Sequence, residues 1–246
     1  MSKFTEQQLY NNYKVLVAIV EKEFPPERAD NIKRLFADFE EEMILAPASG
    51  VEFFHNCFPG GYVAHVLDVI NASVMLLELW MKAGFVPNFT TEELIFSALF
   101  HDFGKLGDGT KPYYIAEKSE WHRKNMSRFY KINESLPHMD VTDRAIFILQ
   151  QYGIKLTQNE WYGIKLADGL YNDMNKKYIK SYNKTGVGTS MHTLLHHADH
   201  FSTILEDQTY FQNKDFDYIK HIKIDTDTIA KESAVSEIDF DDLFKD

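Results

Sequence analysis

A histidine lies inside the most apolar segment of the chain, which extends from Tyr62 to Met81. Apolar residues recur there at helical spacing and predict a helix that is apolar nearly all round and therefore buried. His65, Asp68, Asn71 and Glu78 make the segment too polar for a membrane span. A buried imidazole must satisfy two ring nitrogens, and a metal ion with a second acceptor does that. The alternative is a core histidine held by an ordinary hydrogen bond.

An adjacent pair, His101 and Asp102, continues the apolar face of a second predicted helix. A carboxylate on such a face is costly unless it is paired or bound to a cation. Asp199 flanks the apolar face of the last predicted helix. Two imidazoles and two carboxylates suit a divalent metal, and the sequence does not distinguish Mn, Co, Mg, Fe, Ni or Zn. We therefore predict one tight metal site formed by His65, His101, Asp102 and Asp199.

Two alternatives for these side chains remain open. Asp102 can form an ion pair or a hydrogen bond at the helix end instead of binding a metal. His192 and His196 are four residues apart on one predicted helix, with Asp199 three further on, and such a set can bind a metal by itself.

The order His65, His101-Asp102, Asp199 resembles the H…HD…D signature of the HD-domain metal-dependent phosphohydrolase superfamily. The resemblance covers roughly residues 45 to 207. Its three motifs are Pro59-Gly60-Gly61-Tyr62-Val63-Ala64-His65, Ala98-Leu99-Phe100-His101-Asp102-Phe103-Gly104-Lys105 and His197-Ala198-Asp199. The resemblance implies an all-α fold, ligands that meet in a cleft between helices, and hydrolysis of phosphate esters by a metal-activated water. The overall pattern is similar to phage-encoded members, and Gly107-Asp108-Gly109-Thr110-Lys111-Pro112 resembles a loop of bacterial 5′-deoxynucleotidases.

The resemblance also implies further site residues. Lys105 is expected to stabilise bound phosphate or developing charge, and Asp108 to assist proton transfer to the leaving oxygen. His122 and Arg123 are expected to bind phosphate, and His55 resembles a histidine often seen upstream of the first ligand. The predicted catalytic residues are thus Asp102, Lys105 and Asp108, and the predicted substrate-binding residues are His55, Lys105, His122 and Arg123.

Each of these residues also has a simpler interpretation. Lys105 can be a helix-end cation facing the helix dipole, and Asp108 a turn-forming residue before glycine. His122 and Arg123 can belong to a polar helix face. Ala167 stands where two-metal members of the family often carry a histidine, which is why we predict one metal rather than two.

Helical periodicity dominates the chain and strand signals are sparse, so the predicted fold is a single all-α HD-domain bundle. Residues 1–45 are predicted to form N-terminal helices packed on the core, 46–210 the phosphohydrolase core, and 211–246 a C-terminal extension with an acidic, poorly ordered tail. The predicted helices are 6–23, 27–45, 62–82, 91–104, 118–130, 141–152, 158–171 and 191–206.

Composition restricts the partners. The chain of 246 residues has a net charge of −11, so polymeric nucleic acid is not an expected ligand, whereas a small nucleotide is. The single cysteine, Cys57, rules out an intrachain disulfide and fits a cytoplasmic protein, in the host cytoplasm if phage-encoded. No membrane association is expected. The acidic tail, with Phe240, Leu243 and Phe244 among carboxylates, is either solvated or a docking peptide for a protein partner, and self-association stays open.

Three functions are compatible with these residues. The preferred one is removal of the 5′-phosphate from deoxynucleoside monophosphates. A deoxynucleoside triphosphate triphosphohydrolase is the second, although it needs more cations than the motifs supply. The third is a non-catalytic interaction protein that keeps a metal-stabilised scaffold.

Overall fold

Helices make up most of the described part of the chain, residues 4–179 and 188–212 of this computed structural model. The helices are α1 (Glu6–Glu23), α2 (Pro26–Asp38), α3 (Glu40–Leu45), α4 (Gly61–Lys82), α5 (Thr91–Phe100), α6 (Glu120–Met126), α7 (Val141–Gln151), α8 (Gln158–Lys165), α9 (Lys176–Ile179) and α10 (Met191–Gln212). The strands β1 (Tyr114–Ala116) and β2 (Tyr130–Ile132) form a small antiparallel sheet with Tyr114 opposite Ile132. The predicted all-α class is confirmed for these residues.

The helix α4 is the centre of the packing. It is flanked by α10 along its length and by α5, and α1 and α3 contact it from the N-terminal part of the chain. It is long and apolar enough to cross a membrane, but 61% of its most apolar window is buried inside the protein. Its apolar character is therefore accounted for by the core, as the sequence predicts.

The N-terminal helices share one hydrophobic core with α4 and α5. A capping box formed by Thr5 and Gln8 starts α1, and the ring of Phe36 in α2 contacts the rings of Phe100 and Phe103 at 6.1 and 6.4 Å between centroids. These aromatic contacts join the first helices to the end of α5. His101 and Asp102 follow directly after α5, so the N-terminal helices hold the segment that carries these two residues in place.

Several predicted helices have different bounds in the structure, among them 91–104, which ends at Phe100, and 191–206, which extends to Gln212. The predicted helix 27–45 is interrupted at Phe39, whose buried ring packs on Phe103 at 5.2 Å. The predicted helix 158–171 ends at Lys165, and Gly169 then adopts φ +53° beside the His196 ring. In both places a tertiary contact outweighs local helical propensity.

The prediction of a helix over residues 118–130 is wrong at both ends. Only Glu120–Met126 is helical, Ser127 follows with φ +45°, and the chain returns as β2 to pair with β1. The helix stops because Glu117 and Arg128 form an ion pair, with 2.7 Å between Oε2 and Nη2, which closes the loop between the strands. Short-range periodicity does not reveal such a non-local pairing.

Two expectations fall outside the described residues. The proposed disorder of the acidic tail concerns residues beyond 212, and most of the proposed C-terminal extension lies there as well. The division at residue 45 stays a prediction, although the contacts of α1 and α3 with α4 agree with N-terminal helices packed on the core.

Arg28 provides a test of how the N-terminal helices are attached. Its guanidinium lies 2.7 Å from the fully buried Glu160 carboxylate and 3.9 Å from the centre of the Phe96 ring. Replacing Arg28 by Met leaves Glu160 buried without its cation, and we expect a loss of about 3–5 kcal/mol in the free energy of unfolding. Urea denaturation followed by circular dichroism measures this loss.

Adding Glu160→Gln to the Arg28→Met variant removes the uncompensated charge and should recover part of the stability. The control is Lys33→Met, because Lys33 pairs with Glu21 and Asp30 on the surface, where such pairs contribute less than about 1 kcal/mol. Equal losses for Arg28→Met and Lys33→Met would show that the buried pair is not what attaches these helices.

Candidate metal centre

Two buried imidazoles face each other across the interface between α4 and the end of α5. His65 lies in the first turns of α4 and is 0% exposed, and His101 caps α5 and is 1% exposed. Their Nε2 atoms are 3.4 Å apart. At this distance one nitrogen can donate a hydrogen bond to the other, or both can bind a shared partner.

Two carboxylates complete the cluster. Asp102 Oδ2 is 3.6 Å from Nε2 of each histidine. Asp199, from α10, places Oδ1 3.2 Å from His65 Nε2 and 3.8 Å from His101 Nε2. The structure therefore brings together all four predicted metal ligands, which come from three helices separated by up to 134 residues in sequence.

His65, His101 and Asp102 lie within the distance at which three side chains can bind one divalent cation. Ligand bonds of about 2.0–2.1 Å give neighbouring ligand atoms separated by about 3.0 Å in an octahedron and about 3.4 Å in a tetrahedron. His65, His101 and Asp102 have ligand atoms 3.4–3.6 Å apart, and Asp199 lies 3.2 and 3.8 Å from the two imidazole nitrogens, so small inward movements of these side chains are compatible with a shared cation. A mixed imidazole and carboxylate set is compatible with several divalent metals.

The far side of each imidazole is held so that Nε2 faces the cluster. His101 Nδ1–H donates to the Ala98 carbonyl at 2.7 Å, and His65 Nδ1–H donates to Glu206 Oε1 at 2.9 Å. Such outer partners select the tautomer and the ring orientation that a metal requires. Glu206 is 2% exposed and does not appear among the residues predicted from sequence.

A signal for Glu206 exists in the sequence. It follows Asp199 by seven residues, which is two helical turns, so both carboxylates lie on the same face of α10. A second carboxylate continuing an otherwise buried face indicates a buried cationic or hydrogen-bonding partner.

The electrostatics of the cluster favour positive charge. Burial by itself lowers the pKa of His65, but the charges of Glu206 and Asp199 outweigh it and hold the pKa well above its ordinary value. Burial opposes ionisation of Asp199, yet the hydrogen bond from His65 and the charge of His101 keep its pKa low. The pKa values of Asp102 and Asp199 are lowered, whereas burial raises the pKa of Glu206. The carboxylates of Asp102 and Asp199 thus place negative charge beside His65, which is the environment that a cation stabilises.

Lys105 lies directly beside the candidate ligands. Its Nζ is 2.6 Å from Asp102 Oδ2, and although burial alone lowers its pKa, the Asp102 charge raises the pKa above the ordinary value. The amine is therefore a permanent ammonium group. Gly104 makes this arrangement possible, since a side chain there would overlap the Val141 carbonyl of α7.

A cleft of about 900 Å³ opens beside the cluster. Its wall includes three of the predicted substrate-binding residues, His55, Lys105 and His122. The His55 ring is 4.5 Å from the His65 ring, and burial lowers the pKa of His55, so its imidazole is neutral. His55 Nε2 is buried and has no hydrogen-bond partner within the described residues, which leaves it available to a ligand.

Two other predicted site residues lie apart from this cleft. The Arg123 guanidinium is 5.6 Å from the Phe129 ring and does not line the cleft wall. Asp108 accepts hydrogen bonds from Thr110 N, Thr110 Oγ1 and Lys111 N, all within its own exposed loop. The geometry of Asp108 matches the turn-forming alternative.

The rival grouping on α10 is not assembled. His196 Nδ1–H donates to the Ala167 carbonyl at 2.8 Å, and His192 Nε2 is 3.2 Å from its neighbour Thr193 Oγ1. Ala167 itself is buried and contributes only its backbone carbonyl, to His196. Asp199 instead joins His65 and His101.

Comparisons of the chain with family models, with curated proteins and with solved structures found no match.

Glu206 provides a direct test of the metal centre. Glu206→Gln replaces the charged partner of His65 by a neutral amide, and we expect divalent metal binding to weaken by about 10- to 100-fold. Competition with a chromogenic chelator for Mn²⁺, Co²⁺ and Zn²⁺ measures this without reference to any activity. Ser202→Ala removes a different buried hydrogen bond of α10, from Ser202 Oγ to the Ala198 carbonyl, and should leave metal affinity unchanged.

Proposed function

We propose that this protein is a metal-dependent phosphohydrolase of the HD-domain type that removes the 5′-phosphate from deoxynucleoside monophosphates. The observation that carries the proposal is the convergence of His65, His101, Asp102 and Asp199 from three helices, at distances suited to one divalent cation. The adjoining cleft of about 900 Å³ is within the size range of ligand pockets, roughly 300–1,000 Å³.

The residues around the cluster support phosphate ester hydrolysis. When bound, a divalent cation supplies water activation and neutralises charge on phosphoryl oxygens. Lys105 forms an ion pair with Asp102, so its ammonium group lies beside the proposed metal ligands. There it can stabilise negative charge that develops on a phosphoryl oxygen. His55 and His122 line the cleft and offer neutral or cationic hydrogen-bond donors to the remaining phosphate oxygens.

The charge of the cleft favours a monophosphate. Its cationic side chains are Lys105, Arg128 and Lys131, and its carboxylates are Glu117 and Glu134. Glu117 already pairs with Arg128, and Asp102 pairs with Lys105. With Asp102 included, the three cations are balanced by three carboxylates, so a triphosphate would bring more negative charge than these groups and one divalent cation offset, and a single phosphate suits the cleft better.

A triphosphohydrolase is the second candidate, because a cleft of this size also accommodates a longer ligand. An assay of dAMP, dTMP and dATP with Mn²⁺, Co²⁺ and Mg²⁺, in which released phosphate and triphosphate are followed separately, distinguishes the two. We expect phosphate from the monophosphates. Triphosphate release from dATP supports the second candidate, and no turnover with any metal overturns both in favour of a non-catalytic scaffold.

Asp102→Ala tests whether metal and activity depend on the same residue. Loss of this ligand should abolish metal content and phosphate release together, since the remaining ligands cannot hold the ion tightly. Elemental analysis and the phosphate assay on the same preparation measure both. Asp173→Ala, an exposed carboxylate paired with Lys176, is the control. Full metal content in the Asp102 variant would place the metal elsewhere.

Lys105→Ala separates catalysis from metal binding. Removal of the ammonium should lower kcat by about 10²–10³-fold, the usual loss for one group that stabilises developing charge. Metal content should stay at the level of the unmodified protein. The matched control is Lys111→Ala, because Lys111 lies in the exposed loop and donates to the Ser135 carbonyl at 2.8 Å. Equal effects of the two substitutions would contradict a role for Lys105.

A further inference from the structure

A second, smaller cavity lies on the other side of Lys105. It has a volume of about 320 Å³ and shares Lys105, Tyr114 and Tyr130 with the larger cleft. The rings of Tyr114 and Tyr130 are 6.5 Å apart between centroids and come from the paired strands β1 and β2. The two cavities therefore meet at the lysine beside the candidate metal ligands and are separated by a pair of tyrosines.

The walls of the smaller cavity are flat and mostly apolar. They include Pro47, Pro112 and Tyr113, in addition to the two shared tyrosines. Aromatic and proline rings of this kind offer surfaces on which a planar heterocycle stacks, and stacking on aromatic rings is favourable for every nucleobase. The volume is at the lower end of the range for ligand pockets, as suits one part of a ligand.

The charges of the two cavities differ. Besides Lys105, which both cavities share, the larger cleft is lined by two cations, Arg128 and Lys131, and two carboxylates, whereas the smaller cavity is lined by the carboxylates Glu41 and Glu42 and no further cation. In residues 4–179 and 188–212, neither of these two carboxylates has a hydrogen-bond or ion-pair partner. A phosphate is repelled from such a place, but a hydrogen-bond donor is attracted to it. Glu42 is half-buried and Glu41 exposed, so Glu42 is the acceptor enclosed by the cavity.

We propose that the smaller cavity binds the nucleobase of the substrate, and that Glu42 accepts a hydrogen bond from an exocyclic amino group of that base. The inference rests on the proposed function and adds which nucleobases the substrate carries. Adenine, cytosine and guanine carry such an amino group, whereas thymine and uracil present carbonyl oxygens in its place. The protein should prefer amino-bearing 5′-mononucleotides over dTMP and dUMP, because carbonyl oxygens are repelled by the Glu42 carboxylate.

The test compares two carboxylates on opposite sides of the tyrosine pair. Glu42→Gln removes the charge from the smaller cavity, and Glu134→Gln removes one from the larger cleft. With the metal-loaded full-length protein, the ratio of kcat/KM for dAMP to that for dTMP should fall about tenfold in Glu42→Gln, since hydrogen bonds to charged groups are the stronger ones. The same ratio should be unchanged in Glu134→Gln.

Nucleoside binding provides a readout that does not need hydrolysis. Isothermal titration of the full-length chain with deoxyadenosine and thymidine should show tighter binding of deoxyadenosine, and Glu42→Gln should remove the difference. A thermal denaturation curve equal to that of the unmodified protein shows that the variant is folded.

The outcomes distinguish this inference from the proposed function. Hydrolysis of all monophosphates with a selectivity that Glu42→Gln does not alter, or that Glu134→Gln alters equally, overturns the base pocket and leaves the phosphohydrolase intact. Preferential deoxyadenosine binding that depends on Glu42, without hydrolysis of any nucleotide, supports the base pocket and overturns the catalytic proposal.

Discussion

Negative charge buried around one imidazole is the constraint on which this structure depends. Asp102, Asp199 and Glu206 all lie within 3.6 Å of a ring nitrogen of His65, in the contact region of α4, α5 and α10. Buried carboxylates are costly unless positive charge is near, and Lys105 compensates only one of them directly. The pKa of His65 is raised because these negative charges favour a protonated imidazole. A divalent cation would offset this excess of negative charge more completely than a proton on His65 does, because the cation carries two positive charges and is bound by several ligands at once.

The packing of the helices sets the positions of the side chains in the cluster. The long contact between α4 and α10 sets Asp199 and Glu206 on opposite sides of the His65 ring, one toward Nε2 and one toward Nδ1. The α5 end delivers His101 and Asp102 together, and the Ala98 carbonyl orients the His101 ring. Packing of Phe36 and Phe103 supports this end from the N-terminal helices. Stability and the candidate chemistry are therefore coupled, since weakening the helix contacts displaces the ligands.

The segment between β1 and β2 adds a wall that the helices do not provide. Glu117 accepts hydrogen bonds from Ser119 N and from Arg128 Nε, which closes the segment on itself and directs Arg128 toward the larger cleft. The tyrosine pair on the two strands lies between a cleft that contains Arg128 and Lys131 and a cavity whose charged side chains, apart from the shared Lys105, are carboxylates. This division is the basis for assigning the phosphate to one side and the base to the other.

Much of this molecule is determined by the sequence alone. Helical periodicity and capping boxes at Thr5, Thr90 and Thr157 locate the main helices, and the apolar surroundings of His65 and Asp102 indicate that both are buried. These are local properties, read from side chains three or four residues apart. The tertiary structure decided the rest. It brought Asp199 rather than His192 into the cluster and gave Glu206 its partner. It also limited the predicted helix 118–130 to Glu120–Met126, because the chain then returns as β2 to pair with β1. Each of these outcomes depends on contacts between residues far apart in sequence, whose energies outweigh local propensity and have no counterpart in the spacing of neighbouring residues.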